Sequence, residues 1–138
     1  MVCTVFRVEN RDGVGPYNYK DYRCFSHRLE SQMDTMGRIH SNSKEEHPVG
    51  HNDGLIWIEF EKHNHSASAR YGFKDHDSYI DWFSGYFELL NECGFCLAEY
   101  RVPQRYIQHG NSKKQLVFDK NKANLIKKHK IKGGLNEK

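Results

Sequence analysis

The sequence predicts an α+β fold: an antiparallel sheet of about five strands with one main helix packed on one face. Three observations within residues 71–119 support this prediction. They are an aromatic helix with a capped start, an alternating strand directly after it, and a polar hairpin turn. Together they indicate that the helix lies across an antiparallel sheet.

The main helix is predicted over residues 79–93. Asp75, Asp77 and Ser78 offer side-chain oxygens to the free amides of a helix start. Large apolar residues then recur at three- and four-residue spacing, which predicts one broad buried face. They are Tyr79, Ile80, Trp82, Phe83, Tyr86, Phe87, Leu89 and Leu90. Gly94 follows, and a glycine at this point predicts that the helix ends near Cys93.

The strands are predicted from alternation and turn residues. Residues 95–102 form a strand with Phe95 and Leu97 on one face and Cys96, Ala98, Tyr100 and Val102 on the other. The polar loop at residues 109–112 predicts a hairpin between residues 104–107 and 115–118.

The first half of the chain gives weaker patterns. Residues 2–8 predict a first strand, central in the sheet, and residues 20–32 predict a short helix. Residues 33–54 are polar and rich in turn formers, which favours a long loop. Residues 55–60 predict a strand that pairs with residues 68–73.

Composition favours one globular domain, residues 1–123, followed by a basic, partly disordered tail, residues 124–138. The chain has 138 residues, enough for a single core, and 13% of them are aromatic. Residues 113–138 hold nine lysines and two acidic residues, a net charge of +7, which leaves −4 of the total of +3 for residues 1–112. Because the tail lacks the arginines and aromatics of a base-reading surface, specific nucleic-acid binding is not expected.

The four cysteines and nine histidines predict neither disulfides nor a metal site. The N-terminus lacks the pattern of a secretory leader, and no stretch has membrane-spanning length, so we expect a reducing cytoplasm. Cys93 and Cys96 form a single C-x-x-C with the helix before it, the reverse of a redox motif, and are predicted to be buried structural thiols. His47, His51, His63 and His65 have irregular spacing for a metal.

Five polar residues are the candidate ligand-binding residues: Arg7, Glu9, Tyr17, Asp53 and Gln115. They lie at predicted strand ends or beside glycine turns. Arg7 and Glu9 also fit an ordinary salt bridge on one strand face. No nucleophile or carboxylate pair carries a recognisable motif, so the sequence predicts no catalytic residue, no metal and no cofactor.

Several fragments in order resemble a set of small bacteriophage and prophage proteins. They are residues 6–9, 13–17, 47–48, 52–54, 71–73, 82–83, 94–95, 100–103 and 115–119. The resemblance spans roughly residues 5–123. It implies a phage accessory protein that acts in the host cytoplasm, a class that includes inhibitors of bacterial defence such as anti-CRISPR proteins.

A fainter resemblance is to ADP-ribosyltransferases, in which a first-strand Arg or His binds the dinucleotide and a late-strand Glu completes the site. Arg7 matches the former, but Gln115 stands where the carboxylate is needed. Two functions are therefore open. A protein that binds and inhibits a host defence factor predicts an exposed acidic or aromatic surface without a deep pocket. An ADP-ribosyltransferase-like enzyme, or a non-catalytic nucleotide binder, requires a cleft that holds Arg7 and Tyr17 close to Gln115.

Overall fold

The computed structural model describes residues 1–17, 26–43, 45–47 and 68–132. These residues form two antiparallel three-stranded sheets with helices beside them, which confirms the α+β fold class but replaces one sheet of about five strands with two sheets. The strands are β1 Val2–Glu9, β2 Ala69–Gly72, β3 Cys96–Pro103, β4 Ile107–His109, β5 Leu116–Asp119 and β6 Asn124–His129; the helices are α1 His27–Asn42, α2 His76–Phe83 and α3 Phe87–Glu92. None of the described helices has the length and apolar character that crossing a bilayer requires.

The first sheet has the order β1-β3-β6, so β3 is central and the prediction that β1 is central was wrong. The reason lies in the side chains of β3. Leu97 is buried on one face, and Ala98, Tyr100 and Val102 are buried on the other, as predicted. A strand with apolar residues on both faces is stable between two covering layers, and here its two backbone edges pair with β1 and β6.

The second sheet has the order β2-β5-β4. The predicted hairpin is confirmed as β4 and β5, closed by a hydrogen bond from Gly110 N to Gln115 O of 3.0 Å. β2 pairs with β5, while its predicted partner, residues 55–60, lies outside the described residues. Phe6 and Phe73 exchange two backbone hydrogen bonds of 2.8 and 2.7 Å, which join the two sheets through β1.

Helix α1 differs from the prediction of a short helix at residues 20–32 and a loop from residue 33. It begins at the N-cap Ser26, whose Oγ accepts a hydrogen bond from Leu29 N, and it continues to Asn42. Met33, Met36 and His40 are its buried residues. The sequence signal was weak because this stripe is narrow and one of its three members is polar.

The predicted single helix over residues 79–93 is two helices. Its start is confirmed, because Asp75 Oδ1 accepts a hydrogen bond from Ser78 N. Ser84 then leaves helical geometry and Gly85 adopts a φ of +89°, which separates α2 from α3. Gly94, at a φ of +83°, ends α3 as predicted. Tyr79, Trp82, Phe83 and Leu90 are buried, so the predicted apolar face is confirmed despite the break.

The core has two parts, one on each face of the first sheet. The helices pack on the face that carries Val8 and Leu97, in a cluster rich in aromatic residues and methionines. The second sheet packs on the other face, where Val5, Tyr100 and Phe118 meet. Each large buried side chain contributes roughly 1.5–3 kcal/mol of burial free energy, so the first sheet is stabilised from both sides.

Residues 124–132, which the sequence places in a basic, partly disordered tail over residues 124–138, form β6 and the segment that follows it. β6 pairs with β3 from Leu97 to Arg101, and Ile131 beyond it is only 2% exposed. Asn91 binds both the amide and the carbonyl of Ile131, at 3.2 and 2.7 Å, and the Tyr79 hydroxyl does the same for Lys132, at 3.1 and 2.8 Å. The lysine-rich sequence gives no sign that this segment is a strand, because the charged ends of lysines stay in water while their backbone pairs with β3.

Replacing Ile131 by alanine should lower the free energy of unfolding by roughly 2–5 kcal/mol, because a fully packed side chain is lost. The matched control is Ile126→Ala, at a position that is 49% exposed, with an expected change of about 0.5 kcal/mol. Urea unfolding measures both. Equal midpoints for the two variants would show that the C-terminal segment is not anchored.

Candidate functional site

A cavity of about 860 Å³ lies between the end of β1, the turn after it, the second sheet and the helices. Its volume is within the range of small-molecule sites. The described residues that line it combine glycine-rich backbone, aromatic rings and charged groups: Arg7, Val8, Asp12, Gly13, Val14, Gly15, Pro16, Tyr17, Gly37, His40, Ser41, His47, Ala69, Arg70, Tyr71, Gly72, Phe73, Trp82, Phe83, Gln115 and Lys120.

Three of the five predicted site residues line this one cavity: Arg7, Tyr17 and Gln115. Glu9 is not among the lining residues; it is 2% exposed and lies in ion-pair contact with Arg7. Asp53 lies outside the described residues. The structure therefore places three of the predicted residues on one cavity, while the ligand-binding role of all five stays a prediction.

Arg7 is largely occupied by contacts with the protein itself. Its Nη1 donates to Tyr71 O at 2.9 Å, and its Nη2 donates to Gly13 O at 3.2 Å. Its Nε lies 3.5 Å from Glu9 Oε1, an ion pair and not a hydrogen bond. Burial lowers the pKa of Arg7 below its ordinary value, and Glu9 opposes that shift. The Arg7 guanidinium therefore joins β1 both to β2 and to the turn that follows β1.

Glu9 is the buried acid that balances the cations. Tyr100 Oη donates to Glu9 Oε1 at 2.6 Å, and Lys120 Nζ lies 3.8 Å from Glu9 Oε2. Burial, followed by the hydrogen bond to Glu9, raises the pKa of Tyr100, so its hydroxyl stays a donor. A buried carboxylate is stable only when such partners replace its water.

The turn after β1 is shaped by Asn10 and two glycines. Asn10 Oδ1 accepts hydrogen bonds from Asp12 N and Val14 N, and Gly13 has a φ of +79°. A Cβ on Gly13 would collide with Lys120 Nζ, and one on Gly15 would lie 3.2 Å from Arg7 Nη2. The glycines therefore let the turn lie directly against the two cations.

A second polar network covers the aromatic side of the cavity. The Tyr17 hydroxyl accepts a hydrogen bond from Trp82 Nε1 at 2.8 Å and shares one of 2.5 Å with His40 Nδ1. His47 Nε2 donates to Trp82 O at 2.7 Å, and its Nδ1 lies 3.0 Å from Ser43 Oγ. The His40 and His47 rings stack at 3.9 Å with an interplanar angle of 14°.

His40 is a neutral ring at physiological pH. Burial, followed by the nearby His47, lowers the pKa of His40 from 6.5 to about 4. A proton on His40 would place a charge in an aromatic environment beside a second imidazole. The neutral ring can therefore accept a hydrogen bond at one nitrogen, and it holds the C-terminal part of α1 against Tyr17.

Comparison with known proteins places this chain among phage proteins. The family described as Bacteriophage T4 Y00F protein matches residues 1–132. The chain belongs to this family. This match confirms the phage origin that the sequence resemblance implied. No curated protein and no solved structure matches the chain.

Sequence reasoning missed four cavity residues of this Y00F family member: His40, Trp82, Arg70 and Lys120. Trp82 was assigned only to the core, and Lys120 only to the basic end of the chain. His40 gave one signal, because it is a polar residue four and seven positions from Met36 and Met33. Its neighbour Ile39 is more apolar but is 48% exposed.

In the Y00F family member, Cys93 lies at the end of α3 and Cys96 begins β3. Cys93 is buried, and burial, with Glu92 adding to it, raises its pKa to about 11, as expected for a structural thiol. Cys96 is half-buried, and its pKa is also raised by burial. No group of three or more potential ligands is placed to hold a metal among these residues, and His51, His63 and His65 lie outside them.

Arg7→Met in the Y00F family member should lower the free energy of unfolding by roughly 3 kcal/mol or more, because Glu9 loses a buried ion-pair partner. Adding Glu9→Gln should recover part of this loss, since the unpaired charge is then removed. Arg38→Met is the control: its ion pair with Asp34 is exposed, and the expected change is about 0.5 kcal/mol. Equal losses for Arg7→Met and Arg38→Met in chemical unfolding would contradict a structural role for Arg7.

His40 should make the protein sensitive to mild acid. Its folded pKa of about 4 lies below the ordinary 6.5, so its contribution is complete above pH 6.5 and is lost as the pH falls toward 4. The loss over that window is on the order of 3 kcal/mol. Unfolding measured between pH 7 and 4.5 should show a shallower decline for His40→Gln than for the wild type or for the exposed-site control His109→Gln. Parallel curves would contradict this assignment.

Proposed function

We propose that this phage accessory protein binds a small nucleotide-like ligand in the cavity and does not transform it. The observation that supports the proposal is the composition of one cavity: Arg7, Arg70 and Lys120 line it together with Tyr17, Trp82, Phe83 and the glycine turn. Cations suit a phosphate, and aromatic rings suit a base.

The charge balance favours an anion. Arg7 and Lys120 both lie within ion-pair distance of the same acid, the buried Glu9, at 3.5 and 3.8 Å. Burial lowers the pKa of Lys120; Glu9 opposes this, and Arg7 and Arg70 add to it. A bound phosphate would reduce the repulsion between these cations.

Lys120 is a better candidate phosphate ligand than Arg7, although the sequence favoured Arg7. Arg7 already donates to two carbonyls, whereas the Lys120 side chain is 29% exposed and has one ion pair at the longer distance of 3.8 Å. Lys120 also lies against Gly13, so a phosphate there could approach the backbone of the turn.

Tyr17 supports the ring-binding part of the proposal. It is 39% exposed, it lines the cavity, and its ring stacks on Phe83 at a centroid distance of 6.1 Å and an angle of 20°. Hydrogen bonds to Trp82 and His40 hold the hydroxyl in place. A ring fixed in this way costs little entropy when a base stacks against it.

Binding without reaction is supported by Gln115, a neutral side chain at the position where a transferase needs a carboxylate. Gln115 is neutral, and Glu9 is buried beneath the cations in contact with Tyr100. Neither supplies a free carboxylate for an oxocarbenium-like transition state. An ADP-ribosyltransferase-like activity is therefore the less supported form of the nucleotide hypothesis.

Calorimetry with NAD and AMP tests the proposal. We expect a dissociation constant below about 100 μM, weakened roughly tenfold or more by Lys120→Ala, because a charge-assisted contact contributes about 1.5–3 kcal/mol. Lys113→Ala on the β4–β5 turn is the control and should bind like the wild type. Heat absent at millimolar concentration for both ligands would overturn the proposal, and release of nicotinamide from NAD would favour the enzyme instead.

We propose that the protein acts against host defence, in the host cytoplasm. Direct binding and inhibition of a defence factor is the second candidate function. The observation that favours this candidate is a pair of large apolar residues on β6, Leu125 and Ile126, each 49% exposed. Phage carrying Lys120→Ala can be plated on a panel of defence-proficient hosts beside phage carrying Lys113→Ala. Reduced plating of the first phage alone supports the cavity, whereas equal plating supports surface binding.

A further inference from the structure

β6 forms a second surface, and none of its residues is among the described residues that line the cavity. We propose that the outer edge of β6 docks an extended, acidic segment of a partner protein, which adds to the first sheet as a further strand. Such strand addition uses the backbone for affinity and the side chains for specificity.

The first argument is the position of β6. It pairs with β3 on one side, and among the described strands none lies on its other side. The register shifts between Glu99 and Tyr100, so that Lys127 and Leu125 have partners in β3 and Ile126 between them has none. An edge strand of this kind presents backbone donors and acceptors to an incoming chain.

The second argument is that β6 is held in place. Its C-terminal end continues into Ile131 and Lys132, whose backbones are bound by Asn91 and Tyr79. Ile131 is buried at 2% exposure. An edge that is fixed before binding loses little conformational entropy when a partner arrives.

The third argument concerns side chains. Leu125 and Ile126 are neighbours in sequence and are equally exposed, so each gives an apolar contact beside the backbone edge. Lys127, Lys128 and Lys130 are exposed next to them, as is Arg101 on β3. Glu99, the acid of β3 in this region, is bound to His129 at 2.9 Å.

The positive charge along β6 indicates which kind of segment can pair with its outer edge. A second copy of the chain would bring lysines against lysines across the new strand pair, which is destabilising. An acidic segment instead places carboxylates against Lys127 on one face or Lys128 on the other. The local charge is therefore compatible with strand addition only by a partner of opposite sign.

The probe is a fluorescein-labelled eight-residue peptide of alternating Glu and Val, added to the full chain at low salt. We expect saturable binding by anisotropy that weakens with added salt. Lys127→Glu with Lys128→Glu should reduce the affinity by about tenfold or more, because the two lysines lie on opposite faces and an attractive pair becomes repulsive whichever face the glutamates occupy. Arg11→Glu with Lys113→Glu is the control: it makes the same change in net charge at exposed turn positions outside the sheets and should reduce the affinity by less than about threefold.

Amide hydrogen exchange identifies the mode of binding. With saturating peptide we expect new protection within residues 124–129, because outward amides gain carbonyl partners. Equal loss of affinity in the two double variants, binding without this protection, or absence of saturable binding would each overturn the proposal. Self-association of the free protein through β6, measured by sedimentation, would overturn it in favour of a second copy.

Discussion

The buried carboxylate of Glu9 is the interaction on which the cavity depends. Tyr100 donates to one of its oxygens from β3, Arg7 lies beside it on β1, and Lys120 approaches from the end of β5. Through Arg7 the same cluster reaches the carbonyls of Gly13 and Tyr71. A buried acid requires all these partners, so it fixes the relative positions of both sheets and the glycine turn.

The cavity has two ends with different chemistry. At one end, the charges of Arg7, Lys120 and Glu9 offset each other, and a bound phosphate would add negative charge beside the two cations. At the other end, Tyr17, His40, His47 and Trp82 form a hydrogen-bonded aromatic network. A partly buried network whose side chains are hydrogen-bonded to one another is rigid, which suits the recognition of a flat ring. The proposed ligand class follows from having both ends in one cavity.

Local signals predicted the elements whose stability is local. Asp75 caps a helix, Gly94 ends one, and the alternation from Phe95 to Val102 gives the two faces of β3. Each depends on backbone geometry or on a side-chain period of a few residues. Gly85 was missed, since an aromatic stripe at helical spacing continues across it and only its φ reveals the break.

Only some of the cavity residues were predicted, because the signals that selected them were also local. Arg7, Tyr17 and Gln115 were noted because strand ends and glycine turns often carry function, and the fold brings them to one cavity. His40 could not be selected in this way, because its burial depends on Tyr17 and Trp82, which are distant in sequence.

The sequence by itself determined the fold class, the start of α2, the end of α3, the faces of β3 and the β4–β5 hairpin. Only the tertiary structure decided that β3 is central, that a lysine-rich segment becomes β6, and that Arg7 is occupied by backbone carbonyls. The difference is physical: capping, turn geometry and side-chain alternation act within a few residues, whereas strand order and the partners of a buried charge depend on which distant segments compete for the same contacts.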